Sequence, residues 1–77
     1  MCKKKEGNTY AIILNGEIYN MKPLEEQLIK EGEMFSTTSD TEVVLTGYIR
    51  YGISYIEELN GIFSIALWDG KRKKLYL

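Results

Sequence analysis

The 77-residue sequence has no histidine, a single cysteine and no long hydrophobic run. The lack of histidine excludes Ser-His and Cys-His catalytic relays within these residues and removes the commonest metal ligand. A single cysteine excludes an internal disulfide and a thiolate zinc site, and we expect neither a metal nor another cofactor in this chain. The apolar runs Ala11–Leu14 and Ile65–Trp68 each have four residues, whereas a membrane-spanning helix needs ~20.

Positive and negative charges nearly balance, with ten Lys and Arg against eleven Asp and Glu. This balance lacks the basic excess that binding to a nucleic-acid backbone requires, so nucleic acid is not an expected partner. The start Met1–Lys5 is charged, but no apolar segment follows it, so we expect neither a signal peptide nor a membrane partner. The sequence therefore predicts a cytoplasmic protein or a piece of one.

The length and composition predict one small domain over residues 1–77. A hydrophobic fraction of 44% is sufficient for a packed core, although a chain of this size buries only ~60% of the surface that it exposes when unfolded. The Lys-rich segment 1–9 shows no clear pattern, so its register is left open.

The hydrophobic pattern predicts a strand, two helices and two more strands, in that order. Tyr10–Leu14 is a β-branched and aromatic run between turn residues, which is typical of a buried strand. A helical spacing over Met21–Glu31 ends at Gly32. The segment Ser39–Glu42 fits the capping box that starts a helix. This second helix is expected to end at Gly52, and a short further helical stretch follows it.

The last part of the chain predicts two antiparallel strands. Gly61–Trp68 is apolar at nearly every position, as in a strand that is covered on both faces. The loop Asp69-Gly70 and the returning strand Lys73–Leu77 complete a hairpin. The fold class is therefore α+β, with mainly antiparallel strands and two or three helices. Because these helices can cover only one face of the sheet, we expect the uncovered face to form a homo-oligomer.

Asn15, Gly16 and Glu17 are the first candidate site residues, because they follow a buried strand in what we interpret as a tight turn before a helix. The Gly16 N–H and the Asn15 amide could supply the two converging donors that an oxyanion hole requires. Glu17 could bind a cationic group of a substrate. The alternative is that Asn-Gly is only a common turn.

Asp40 and Cys2 are the other candidates. Asp40 lies at the predicted start of the second helix, where its carboxylate could bind a ligand or only cap the helix. Removal of Met1 would leave the Cys2 thiol beside a free α-amine, which is the one nearby base of suitable pKa. The alternative for Cys2 is a frayed chain terminus.

Three motifs occur in order along the chain: Tyr10–Asn20 (YAIILNGEIYN), Ser39–Leu45 (SDTEVVL) and Leu59–Asp69 (LNGIFSIALWD). Together they resemble class II glutamine amidotransferases, in particular the glutaminase domain of asparagine synthetases. The resemblance covers about Tyr10–Leu77. It implies an N-terminal-nucleophile hydrolase fold, in which two antiparallel sheets stack face to face between helical layers.

The resemblance also implies roles for the candidate residues. In such enzymes a mature N-terminal cysteine attacks the side-chain amide of glutamine. Asn15 and Gly16 would form the oxyanion hole, while Glu17 and Asp40 would hold the α-amino group of glutamine. Cys2 would be the nucleophile only if it takes the place of that cysteine.

Two features depart from the family pattern. The family's nucleophile is followed by glycine, and an arginine between it and the Asn-Gly-Glu segment binds the glutamine carboxylate. Here Cys2 is followed by Lys3 and lies thirteen positions before Asn15. We therefore predict an inner fragment of a longer glutaminase domain, which has substrate-site residues, lacks the full catalytic set and binds glutamine weakly or not at all. The alternative is a catalytically inactive, stand-alone binding or interaction module that forms a dimer.

Overall fold

The structure is a computed structural model that describes residues 1–37 and 39–77. It contains one four-stranded antiparallel sheet and three helices. The strands, which lie in the sheet in chain order, are β1 (Cys2–Lys5), β2 (Asn8–Ile18), β3 (Gly61–Asp69) and β4 (Lys74–Tyr76). The helices, which all lie between β2 and β3 in the chain, are α1 (Met21–Lys30), α2 (Asp40–Tyr51) and α3 (Ile53–Glu57). None of the described helices is long and apolar enough to cross a membrane.

The predicted fold class, α+β with mainly antiparallel strands, is confirmed. The predicted order of strand, helix, helix, strand and strand corresponds to β2, α1, α2, β3 and β4, and the short helical stretch after Gly52 is α3. The structure adds β1, which comes from the segment 1–9 whose register was left open. The turn Glu6-Gly7, with positive φ at both residues, lets β1 fold back so that Cys2 pairs with Ala11.

The predicted turn at Asn15 and Gly16 is wrong, because β2 continues through both residues to Ile18. Asn15 pairs with Ser64 of β3, and Gly16 pairs with Phe63. The chain reverses after β2, where Asn20 closes the connection with its side-chain amide. That amide donates to the Glu58 carbonyl oxygen at 2.8 Å and accepts from the Asn60 N–H at 2.9 Å.

The two faces of the sheet differ in burial. On β2 the side chains of Tyr10, Ile12 and Ile18 are buried in the core together with residues of the helices. The alternate positions face the other way, and Ile13 on that face is 66% exposed while Ile62 of β3 is 76% exposed. As expected, the described helices cover one face of the sheet, and the second face is left open.

Helix α2 is the central element of the helical layer. Seven consecutive residues, from Glu42 to Tyr48, are buried. Its start is fixed by Ser39, whose hydroxyl accepts from the Thr41 N–H at 3.2 Å, and its end by Gly52 with φ of +83°. These boundaries agree with the capping box and the glycine stop that the sequence contains.

Candidate functional site

Asn15, Gly16 and Glu17 lie in the last part of β2, and all three are exposed. Because side chains alternate along a strand, Asn15 and Glu17 are on the open face of the sheet. Gly16 has φ of +111°, and a Cβ at this position would collide with the carbonyl oxygen of Ile62 and lie 2.6 Å from the Phe63 Cα. Glycine is therefore required here for the close approach of β2 and β3, and not for a turn.

Asp40 is the first residue of α2 and is exposed. At this position its carboxylate lies at the positive end of the helix dipole. The helix is capped by the hydroxyl of Ser39. The side chain of Asp40 is therefore not needed as a cap and is available for another role. That a single pocket contains both Glu17 and Asp40 stays a prediction.

The partly polar sequence from Phe35 to Thr38 predicts an extended connection from α1 to α2. From Phe35 to Thr37 the chain bends and forms no strand, because the backbone N–H groups of Ser36 and Thr37 turn toward a side chain of α2, described below. Thr38 lies outside the described residues.

Cys2 is exposed on β1 and pairs with Ala11. Asn15 is four residues further along β2, which corresponds to ~13 Å at the rise of an extended strand. The N-terminal ammonium belongs to Met1 and donates to the Ile12 carbonyl oxygen at 3.1 Å. The structure therefore does not bring Cys2 next to the Asn15-Gly16 segment.

Both arginines of the sequence are paired with carboxylates away from this segment. Arg50, near the end of α2, lies 2.9 Å from Glu33 and 3.3 Å from Glu31. Arg72 lies in the turn after β3, 3.8 Å from Asp69. The turn after β3 adjoins the start of β2, since Gly70 N–H donates to the carbonyl oxygen of Thr9.

Glu42 forms a buried charged cluster that the sequence did not reveal. Its side chain is 2% exposed and accepts hydrogen bonds from the Ser36 N–H at 3.0 Å, and from the Thr37 N–H and hydroxyl at 2.8 Å each. The ammonium of Lys3 on β1 lies 3.0 Å from the Glu42 carboxylate and donates to the Thr46 hydroxyl at 2.8 Å. Glu42 thus joins β1, α2 and the segment before α2.

The environment of Glu42 keeps it ionised. Burial alone would raise the pKa of this carboxyl, but the hydrogen bonds from Ser36 and Thr37 and the ammonium of Lys3 outweigh burial and lower the pKa from 4.5 to about 2. In the predicted capping box Glu42 would bond back to the backbone of Ser39; instead it bonds to residues further upstream. In the sequence, the one feature that indicates the burial of Glu42 is the apolar run that begins at the next residue, Val43.

A second buried carboxylate, Asp69, fixes the turn between β3 and β4. It accepts from the Tyr48 hydroxyl at 2.5 Å and from the N–H groups of Lys71 and Arg72 at 2.9 and 3.0 Å. Burial opposes ionisation of Asp69, yet these hydrogen bonds lower its pKa. Burial and the Asp69 carboxylate raise the pKa of Tyr48, which stays protonated and able to donate. This pair ties α2 to the predicted Asp69-Gly70 loop.

Comparison with known families gives a match over the whole chain. A family model described as "Glutamine amidotransferase domain" matches residues 1–77. The chain is 48% identical over 71 residues to asparagine synthetase [glutamine-hydrolyzing] 3 of Bacillus subtilis. This match covers 92% of this chain and 12% of that protein. It is 42% identical over 72 residues to asparagine synthetase [glutamine-hydrolyzing] 2 of the same organism, and this match covers 94% of this chain and 9% of that protein. The chain thus spans about a tenth of the length of these relatives.

The fold also matches solved structures. A structure titled as the allosteric regulatory enzyme of purine biosynthesis superposes with a TM-score of 0.79 and 23% sequence identity. The match covers 91% of this chain and 17% of that one. At this level of identity the likeness concerns the α+β fold alone.

Proposed function

The chain belongs to the glutamine amidotransferase domain family, and we propose that it forms the substrate-binding part of a glutamine-hydrolysing domain of the asparagine synthetase type. The observation that carries the proposal is the exposed Asn15-Gly16-Glu17 segment, in which only glycine fits the close approach of β2 to β3. Gly16 is exposed and has no side chain to cover its backbone, and we propose that its N–H faces the ligand.

In this proposal, the Gly16 N–H and the Asn15 side-chain amide donate to the oxygen that becomes negatively charged when the glutamine amide is attacked. Two preorganised donors at that oxygen stabilise the transition state more than the substrate. Glu17 and Asp40 bind the α-ammonium group of glutamine. Hydrogen bonds that join an ammonium to carboxylates are about twice as strong as neutral ones, so these two residues provide most of the orientation.

We expect Glu17→Gln and Asp40→Asn each to weaken L-glutamine binding by about tenfold, because each removes one charge-assisted hydrogen bond. The dissociation constant is measured by NMR titration of the 77-residue chain. Glu26→Gln is the matched control, since Glu26 is an exposed glutamate on α1 and should leave binding unchanged. Equal affinities for the wild type and for both site variants would contradict the proposed binding site.

We also propose that these 77 residues do not hydrolyse glutamine on their own. Cys2 is ~13 Å along the sheet from Asn15, and Arg50 and Arg72 are held by other carboxylates. The chain is therefore expected to release no ammonia above background in an assay for glutamate and ammonia. Turnover that is lost on Cys2→Ala would show the opposite and would make Cys2 the nucleophile.

A second candidate function, an inactive module that pairs with its own copy, is favoured by the open face of the sheet. Large apolar side chains are exposed there on three strands, namely Ile13, Ile62, Trp68 and Leu75. A large exposed apolar patch marks an interaction surface, and a two-fold pairing of this face would cover these side chains. Sedimentation should give a dimer that Ile13→Lys dissociates, whereas a monomeric wild type at high concentration would contradict this candidate.

A further inference from the structure

We propose that Thr37 is a positioning residue for the substrate site, because its hydroxyl connects the buried Glu42 carboxylate to the segment that carries Asp40. This inference rests on the proposed role of Asp40 in binding the α-ammonium group of glutamine. Thr37 acts through Asp40 and does not touch the substrate.

The contacts form a continuous path. The Thr37 hydroxyl donates to Glu42 at 2.8 Å and accepts from the Ser39 N–H at 3.1 Å. The Ser39 hydroxyl in turn accepts from the Thr41 N–H at 3.2 Å. Asp40 lies between Ser39 and Thr41, so both of its neighbours in the chain are held by this path. The backbone on both sides of Asp40 is thereby held relative to α2.

The path of hydrogen bonds ends at the buried carboxylate of Glu42. The Glu42 residue is 1% exposed, and its carboxylate is held from the other side by Lys3 at 3.0 Å and by the Ser36 N–H at 3.0 Å. Thr37 itself is exposed. Its hydroxyl therefore contributes through two hydrogen bonds and not through packing, so it can be removed without leaving a cavity in the core.

Thr37→Val removes the hydroxyl and keeps the shape of the side chain, while Thr37→Ser restores the hydroxyl. The dissociation constant for L-glutamine, measured by NMR titration of the 77-residue chain, should rise about fivefold in Thr37→Val, the factor that corresponds to one neutral hydrogen bond. It should return to the wild-type value in Thr37→Ser. Thr9→Val, at an exposed threonine of β2, is the matched control and should leave binding unchanged.

A double-mutant cycle separates positioning from a general loss of stability. In an Asp40→Asn background, Thr37→Val should cause no further loss of affinity, because the group that it positions is gone.

Without ligand, amide hydrogen exchange at Ser39 and Thr41 should accelerate in Thr37→Val and recover in Thr37→Ser, while exchange in β2 and β3 stays unchanged.

The outcomes distinguish this inference from the proposed function. If Asp40→Asn weakens binding but Thr37→Val does not, the positioning role is wrong and the substrate site stands. If neither Asp40→Asn nor Glu17→Gln changes binding, or if the wild type does not bind L-glutamine, the proposed site fails and the role of Thr37 fails with it. Unchanged exchange at Ser39 and Thr41 in Thr37→Val also overturns the positioning role.

Discussion

Replacing Glu42 with alanine should lower the free energy of unfolding by about 3 kcal/mol or more, because it leaves Lys3 without its carboxylate and two backbone N–H groups without an acceptor. A loss of this size is a large part of the stability of a small domain. Urea unfolding followed by circular dichroism measures it. Glu26→Gln, which changes an exposed glutamate of α1, should have almost no effect.

The same residue predicts a dependence on pH. Since the pKa of Glu42 is lowered from 4.5 to about 2, its contribution is present in full above about pH 4.5 and is lost as the pH falls toward 2. The shift corresponds to on the order of 3 kcal/mol. The stability difference between the wild type and Glu42→Gln should therefore shrink between pH 4.5 and 2. A difference that stays constant over this range would show that the charge of Glu42 is not what stabilises the fold.

Replacing Gly16 with alanine should destabilise the sheet by about 2–4 kcal/mol, since the new Cβ adds a collision to an unfavourable backbone conformation. The colliding atoms belong to the backbone of Ile62 and Phe63, and no rotation of a side chain relieves the contact. The strands β2 and β3 must move apart at the proposed oxyanion site, so binding of L-glutamine should be lost together with stability.

Gly32→Ala is the matched control for this prediction. Gly32 has φ of +99°, close to the +111° of Gly16, but an added Cβ would meet no atom within 4 Å. The Gly32→Ala variant therefore measures the conformational strain alone, without a collision. We expect this strain to cost about 1 kcal/mol. If Gly16→Ala costs no more than Gly32→Ala, the close approach of the two strands is not the reason for a glycine at position 16.

The elements that depend on local pattern could be predicted from the sequence. Helix α1 ends next to the glycine that marks it, and α2 begins after the Ser39 cap and ends before Gly52. The apolar run after Asn60 became β3, and the Asp69-Gly70 loop joined it to β4. In each case the signal lies within a few residues of the feature that it predicts.

The features that depend on distant contacts could not be predicted. The Lys-rich segment forms β1 only because β2 offers a free edge, and its own residues carry no strand pattern. Asn15 and Gly16 have the composition of a turn, but pairing with β3 keeps them extended. The ion pair of Lys3 with Glu42 joins residues that are 39 positions apart in the chain. The candidate residues Asn15, Gly16, Glu17 and Asp40 came from their predicted positions after a strand and at the start of a helix, and their roles toward glutamine came from the family motifs.

The most direct test of the account is the structure of the chain bound to L-glutamine. We expect the α-ammonium nitrogen to lie within hydrogen-bond distance of both the Glu17 and the Asp40 carboxylates. We also expect the side-chain carbonyl oxygen of the ligand to accept from the Gly16 N–H and the Asn15 amide. A ligand bound elsewhere, or Glu17 and Asp40 separated by more than one amino acid can span, would contradict the account.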